Sequence, residues 1–281
     1  MEKLVIIFKK IIARRLSGWL LAFCAVGILF PACAQAAVTT FDWNQSYGTW
    51  TAGSPAIGGT ASQSYNNDSA HLGTGNDVTI SITNNGGNWG TGGTGNPGSP
   101  SVNTNYNGGF TTKKTLDLNY ATETVNTPDL TVKIDFSLYS AGVANVAFSI
   151  YDVDYSPGTW IDQISGITAV TMSGSIIGAT SITTSSYNTL TGSGTGSIVT
   201  GRTGNAGGSS NLGNVGISFG TNVVKSVTFS WANTDAAKGD QKISLSNITY
   251  TDASPEVHPG LAAMAACVLV VAVRRSRTRR V

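Results

Sequence analysis

Between Ala37 and Ala253 the chain has no cysteine, a single histidine (His71) and a single glutamate (Glu123). The three cysteines, Cys24, Cys33 and Cys267, all lie in the terminal segments, so the body has neither a disulfide nor thiol chemistry to offer. A Ser-His-Asp arrangement or a histidine-rich metal site would have to be built around His71 alone. Positive charge is also scarce: the body carries seven Lys/Arg against thirteen Asp/Glu, a net of −6. An acidic, arginine-poor surface excludes nucleic acid as a natural partner, because phosphate contacts need clustered cations. Helical periodicity is missing as well, and no segment of the body repeats apolar residues every three to four positions.

What the body does have is glycine, serine, threonine and asparagine separating short alternating runs. Leu130, Val132, Ile134, Phe136 and Leu138 alternate with polar or small residues, as do Val78, Ile80 and Ile82; Val146, Phe148 and Ile150; and Val215, Ile217 and Phe219. Val227, Phe229 and Trp231 continue the pattern. Period-two runs place one side-chain set in a core and the other toward solvent, the mark of antiparallel strands. The expected fold is all-β, an antiparallel β-sandwich or jelly-roll-like single domain over residues 37–253. Trp43 and Trp231 fall on core-facing positions. Two linkers look long and poor in buried surface, Asn84 to Gly109 and about Thr191 to Asn214.

The ends set the compartment. Lys3, Lys9, Lys10, Arg14 and Arg15 precede the apolar run Trp19 to Phe30, and Ala34-Gln35-Ala36 supplies a small-x-small cleavage site, so residues 1–36 read as a secretory signal peptide. Cys33 raises a lipoprotein alternative, but Phe30-Pro31-Ala32 fits a lipobox poorly. At the other end, residues 254–281 place Pro255-Glu256 before the apolar segment Leu261 to Val273 and a basic cluster of Arg274, Arg275, Arg277, Arg279 and Arg280. A helix of these thirteen residues would be about 20 Å long against a hydrocarbon core of about 30 Å, a marginal transmembrane helix. The arginines would hold the C-terminus inside and leave the body facing outward.

This tripartite tail resembles the PEP-CTERM class of bacterial sorting signals, with Val257 standing where the class has proline. The resemblance is confined to the tail. It implies export across the inner membrane of a Gram-negative-type cell, with transient membrane residence. It also implies signal peptidase and an exosortase as processing partners, and delivery to the envelope, surface or extracellular matrix. A plain tail anchor without processing is the alternative.

Chemistry concentrates in Phe148 to Ile164. Alternation carries Asp152 and Asp154 to the core side of a strand as it leaves the sandwich, and Trp160, Asp162 and Ile164 share a face of the returning strand. The turn between them contains Ser156-Pro157-Gly158. If Asp152 and Asp162 pair across the hairpin, three carboxylates (Asp152, Asp154, Asp162) collect at one rim and need water or a cation between them, and calcium is the ion whose irregular oxygen coordination suits them. The alternative is that the register slips and the aspartates merely solvate a strand end. Gly93 to Gly98 matches G-x-G-x-x-G in spacing only, since proline and glycine follow where a helix should start.

A glycan-binding site needs an aromatic platform and a few hydrogen-bonding groups, and Trp89, Tyr106 and Trp160 are the expected ligand contacts, with Trp50 also free to serve. Glycoside hydrolysis needs two carboxylates, which Asp152 with Asp162 or Asp240 could supply, although nothing in their spacing selects that role. The sequence therefore points first to a non-catalytic envelope or matrix protein with a structural or adhesive role. A carbohydrate-binding module, calcium-assisted or not, comes second, and a glycan-active enzyme third.

Overall fold

A computed structural model describes residues 37–68, 75–90, 99–122, 128–236 and 240–254. The signal segment, the sorting tail, His71, Glu123 and the glycine run 93–98 lie outside the described residues. Among those described, no helix is long and apolar enough to cross a membrane.

Every strand pairing is antiparallel, and the strands form two facing layers. One layer runs in the order Thr60–Tyr65, Val78–Asn84, Leu130–Asp135, Val224–Asn233, Trp160–Thr171, Ile198–Gly201, Asn188–Thr191. The other has Thr115–Thr122 beside Asp240–Leu245, whose continuation Ile248–Asp252 lies along Val143–Tyr151, followed by Val215–Ser218 and Ser181–Thr184. Val38–Phe41 pairs with Ile248–Asp252, and Gly87–Trp89 and Ser101–Asn103 add to Thr115–Thr122. The layers meet at the pair Val143 and Val224. This is the expected antiparallel sandwich, and residues Ala37–Ser254 make one compact unit.

Alternation explains the core. In Val78–Asn84 every second residue is buried, and its partner strand buries Leu130, Val132 and Ile134 in the same rhythm. Aromatic rings bridge the layers: Phe148 and Phe229 lie 5.8 Å apart between centroids, Tyr120 and Trp231 6.3 Å, and Phe136 and Tyr250 5.0 Å. Trp43 is buried and donates its indole N–H to Ser246 O at 3.0 Å, so the polar atom of a core tryptophan is satisfied. Each fully buried side chain of this size stabilises by about 1.5–3 kcal/mol.

Three expectations change. Leu138 is 46% exposed, because the strand ends at Asp135 and the chain turns, with Tyr139 N bonded to Phe136 O at 2.9 Å. The linker after Thr191 contains the strand Ile198–Gly201, paired on both sides and burying Val199. The linker after Asn84 contains two further strands, so neither is a bare loop.

Candidate functional site

The chain corner at Asp152 to Trp160 builds the site. The strand Val143–Tyr151 ends where Asp152 takes a left-handed φ of 64°. Such a conformation is uncommon outside glycine, and aspartate is among the residues that tolerate it best. It interrupts the pleat. Val153 is buried in the core, and its amide donates to Gly213 O at 3.0 Å. The chain then returns through Ser156-Pro157-Gly158-Thr159, closed by Thr159 N to Ser156 O at 3.0 Å, with Gly158 at φ 71°. Proline followed by a positive-φ glycine is the chemistry of a type II turn.

The register of this turn, Trp160 against Ser156 and Ile161 against Tyr155, decides which aspartates meet. Asp154, not Asp152, stands opposite Asp162: Asp162 N donates to Asp154 O at 3.0 Å, and Asp154 N donates to Asp162 Oδ2 at 3.1 Å. Trp231 Nε1 donates to Asp162 Oδ1 at 2.9 Å, so both oxygens of this 1%-exposed carboxylate are engaged. Asp154 also has both oxygens engaged, Oδ1 by Trp160 Nε1 at 2.7 Å and Oδ2 by Ala206 N at 2.6 Å. Only Asp152 keeps a buried oxygen, Oδ1, without a partner.

The three aspartates therefore do not form a shared cup. Among the described residues no group of three or more His, Cys, Asp or Glu side chains could hold a metal ion. The expected calcium set does not fit, because Asp162 is turned into the core to satisfy an indole and a backbone amide.

Asp152 and Asp154 instead line a hollow of about 190 Å³ at the end of the sandwich, together with Tyr106 and Trp160, both partly exposed, and Gln241 and Lys242. Asp240 and the turn Asn205 to Gly208 complete its rim. Two glycines permit the close approaches this needs. A Cβ on Gly201 would lie 1.8 Å from Asp154 O, and one on Gly208 would lie 2.4 Å from the Tyr106 ring. Gln241 is 3% exposed and neither atom of its amide has a hydrogen-bond partner. Leaving a buried polar group unpaired costs about 1–3 kcal/mol, so Gln241 and Asp152 are expensive features of the folded state.

Burial dominates the electrostatics. It pushes the Asp152 carboxyl up to about 8, with the negative charges of Asp154 and Asp117 adding to the effect and Lys242 opposing it. Asp117, under the Ser101–Asn103 strand, is pushed up to about 7 by burial, against a hydrogen bond from Thr115 and the Lys242 charge. Burial also raises Asp154, and it raises Asp162 well above the ordinary carboxylate range with the help of the Asp154 charge. Lys242 Nζ lies 5.1 Å from the Tyr106 ring centroid, a cation–π distance.

Trp89 is not a free ligand contact. It packs edge-on against Tyr120 at 5.1 Å and donates its indole N–H to Pro55 O at 2.8 Å. Trp50 likewise packs against the core and bonds Gly53 O at 2.9 Å. Gln241 escaped the sequence reading, although a signal was present: it alternates with Ile243 and Leu245, which places a polar residue on the inward face.

A larger hollow of about 490 Å³ lies on the outer sheet face, lined by Lys113, Ser149, Tyr151, Ser246 and Thr249 among others. Two of its hydroxyls have partners: Ser246 Oγ accepts from Ser149 N and donates to Asn247 O, both at 2.7 Å, and Thr249 Oγ1 donates to Ala147 O at 3.3 Å. Size favours this face, but unmet hydrogen-bonding capacity favours the smaller pocket. The second criterion decides, because a satisfied surface gains little from a polar ligand.

No protein-family model matches the chain, and no curated protein does. Two solved structures show a slight likeness. One is a family 11 carbohydrate-binding module from Clostridium thermocellum in complex with a β-1,3-1,4-mixed-linked tetrasaccharide, at 12% identity and TM-score 0.28, covering 79% of this chain and 100% of that one. The other is the family 11 module of a cellulosomal cellulase of Clostridium thermocellum, at 12% identity and TM-score 0.26, covering 80% and 100%. Similarity this slight says nothing about a ligand of the present chain.

Proposed function

We propose that this protein is an exported, non-catalytic β-sandwich that adheres to carbohydrate through the pocket walled by Tyr106, Trp160, Asp152 and Gln241. The observation that carries the reading is the combination of unpartnered polar atoms with aromatic rings. A sugar offers hydroxyls to the first and an apolar C–H face to the second. The pocket is smaller than the roughly 300 Å³ at which drug-sized sites begin, so it suits one ring or its substituent rather than a whole chain. Hydrolysis by Asp152 with Asp162 is disfavoured because Asp162 is sealed against Trp231, and of the two carboxylate pairs only Asp152 with Asp240 lines the pocket.

The test is a glycan array probed with the full chain in a polyoxyethylene detergent, which adds no sugar of its own, with and without calcium. Binding to at least one glycan is expected, abolished by Tyr106→Ala and by Gln241→Leu and retained by Trp89→Phe. The reading falls if the wild type binds nothing, or if folded Tyr106 and Gln241 variants, checked by circular dichroism, bind as the wild type does.

Delivery to the envelope belongs to the same proposal and is supported by the residues of the two ends alone. The intact mass of protein recovered from the cell envelope reads both cleavages. A mass beginning at Ala37 and ending near Pro255-Glu256 supports sorting by an exosortase-type enzyme, and a mass retaining Leu261 to Val281 overturns it in favour of a plain anchor.

A further inference from the structure

We propose that the pocket holds a protonated amino group, and that the glycan it selects carries free amino sugars; this rests on the glycan-binding reading above. Three carboxyl side chains, Asp152, Asp154 and Asp240, line the hollow against one cation, Lys242. Carboxylates gathered around one hollow repel unless a counter-charge enters or one of them keeps its proton. Lys242 serves in part, but its ammonium is turned onto the Tyr106 ring. Neither of the two unpartnered groups has a hydrogen bond to it: Asp152 Oδ1 and the Gln241 amide remain unmatched.

A primary ammonium fits this set better than a hydroxyl. It donates three hydrogen bonds and accepts none, and the site offers acceptors in Asp152 Oδ1, Gln241 Oε1 and the remaining lone pairs of Asp154. A hydroxyl donates only one. Gln241 Nε2 is left to donate to a neighbouring ring hydroxyl. Trp160 adds an aromatic wall that favours a cation and the C–H face of a sugar. N-acetylation would remove both the charge and two of the donors, and would add bulk to a hollow of about 190 Å³.

Proton balance follows from the groups facing Asp152. Burial, Asp154 and Asp117 hold a proton on its carboxyl near neutral pH, with Lys242 opposing. An arriving ammonium stabilises the ionised form, so the carboxylic acid and R–NH3+ become a carboxylate–ammonium pair and one proton leaves to solvent. Titration calorimetry of the full chain in two buffers of different ionisation enthalpy reads this proton directly. The probes are a fully deacetylated chito-oligosaccharide and its N-acetylated counterpart of equal length, both at about pH 6, where amino groups are protonated.

The deacetylated probe is expected to bind about tenfold tighter, to weaken with added salt, and to release close to one proton. Asp152→Asn is expected to abolish proton release and to weaken the deacetylated probe about tenfold more than the acetylated one. Asp240→Asn, on an exposed side chain, repeats the charge test without risk to the fold. Equal or tighter binding of the acetylated probe, or indifference of the deacetylated probe to both substitutions, overturns the inference. Binding of neutral glycans alone leaves the glycan reading standing without the amino sugar, and binding of no glycan removes both.

Discussion

Two indole–carboxylate pairs place their aspartates opposite each other on one hairpin and differ in the setting of the indole. Trp231 donates to Asp162 inside the core, with both residues at most 2% exposed, and Trp160 donates to Asp154 on the pocket wall, where the indole is partly exposed. The chemistry is the same, but the setting assigns different work. In the core the pair satisfies a tryptophan that closes the sandwich. At the wall the pair fixes the orientation of a ring that remains available to a ligand. The exposure of the indole, not that of the carboxylate, separates the two pairs, since Asp154 is 3% and Asp162 1% exposed.

The sharpest way to break this comparison is Asp162→Ala. It strands the Trp231 N–H and the Asp154 amide inside the protein, at a cost of roughly 2–4 kcal/mol. For a domain of this size that corresponds to a fall in Tm of about 5–15 °C. A thermal melt unchanged within a degree would show that the core pair holds nothing.

Gly201→Val comes next. Its Cβ would meet the Asp154 carbonyl at 1.8 Å, backbone against backbone, so the strand and the corner must part. The expected loss is about 1–3 kcal/mol by chemical denaturation. Gly208→Ala meets the movable Tyr106 ring at 2.4 Å and the Asn105 carbonyl at 2.7 Å, so a smaller loss of about 1 kcal/mol is expected together with loss of glycan binding.

Asp154→Asn sharpens the comparison from the wall side. Asparagine keeps one good acceptor for two donors, and nearby solvent can serve the other, so the cost should be near 1 kcal/mol, well below that of Asp162→Ala. Equal losses at the two sites, measured by the same denaturation, would erase the distinction.

A last test is in pH. The Asp152 and Asp117 carboxyls are raised to about 8 and about 7 in the folded protein, against about 3.9 when unfolded. Between those limits the folded state binds more protons than the unfolded one, so stability falls as pH rises from about 4 to about 8. Tm should be higher at pH 5 than at pH 8.5, and Asp152→Asn should flatten the slope. A Tm that climbs with pH over this window would contradict the protonated carboxyls.

Much of the fold was legible because a two-residue period survives wherever one strand face is buried. Val78, Ile80 and Ile82, the run from Leu130 to Phe136, and the burial of Trp43 and Trp231 all follow from it. The Ser156-Pro157-Gly158 turn was equally plain. The site was half legible: Asp152, Asp154, Tyr106 and Trp160 do converge, but the register did not show in the sequence. The turn pairs Trp160 with Ser156 and so sets Asp162 against Asp154 rather than Asp152, while the left-handed Asp152 lies beyond that pairing. Trp89 and Asp162 misled for a common reason. Indole and carboxylate groups read as functional in a list of residues, yet partners far along the chain, Pro55 and Trp231, occupy them.

The pocket also carries information about the order of folding. Its walls come from residues near 106, 152–160, 205–208 and 240–242, and the corner is anchored by the Val153 and Tyr155 amides, which donate to the Gly213 and Gly204 carbonyls. Closing loops between such distant segments costs entropy before any contact repays it, so topologies of this kind assemble slowly and their most non-local features form last. On the proposed function, sugar binding would then report that the chain has completed its folding route, and a copy exported without its final strands in place would be unable to attach.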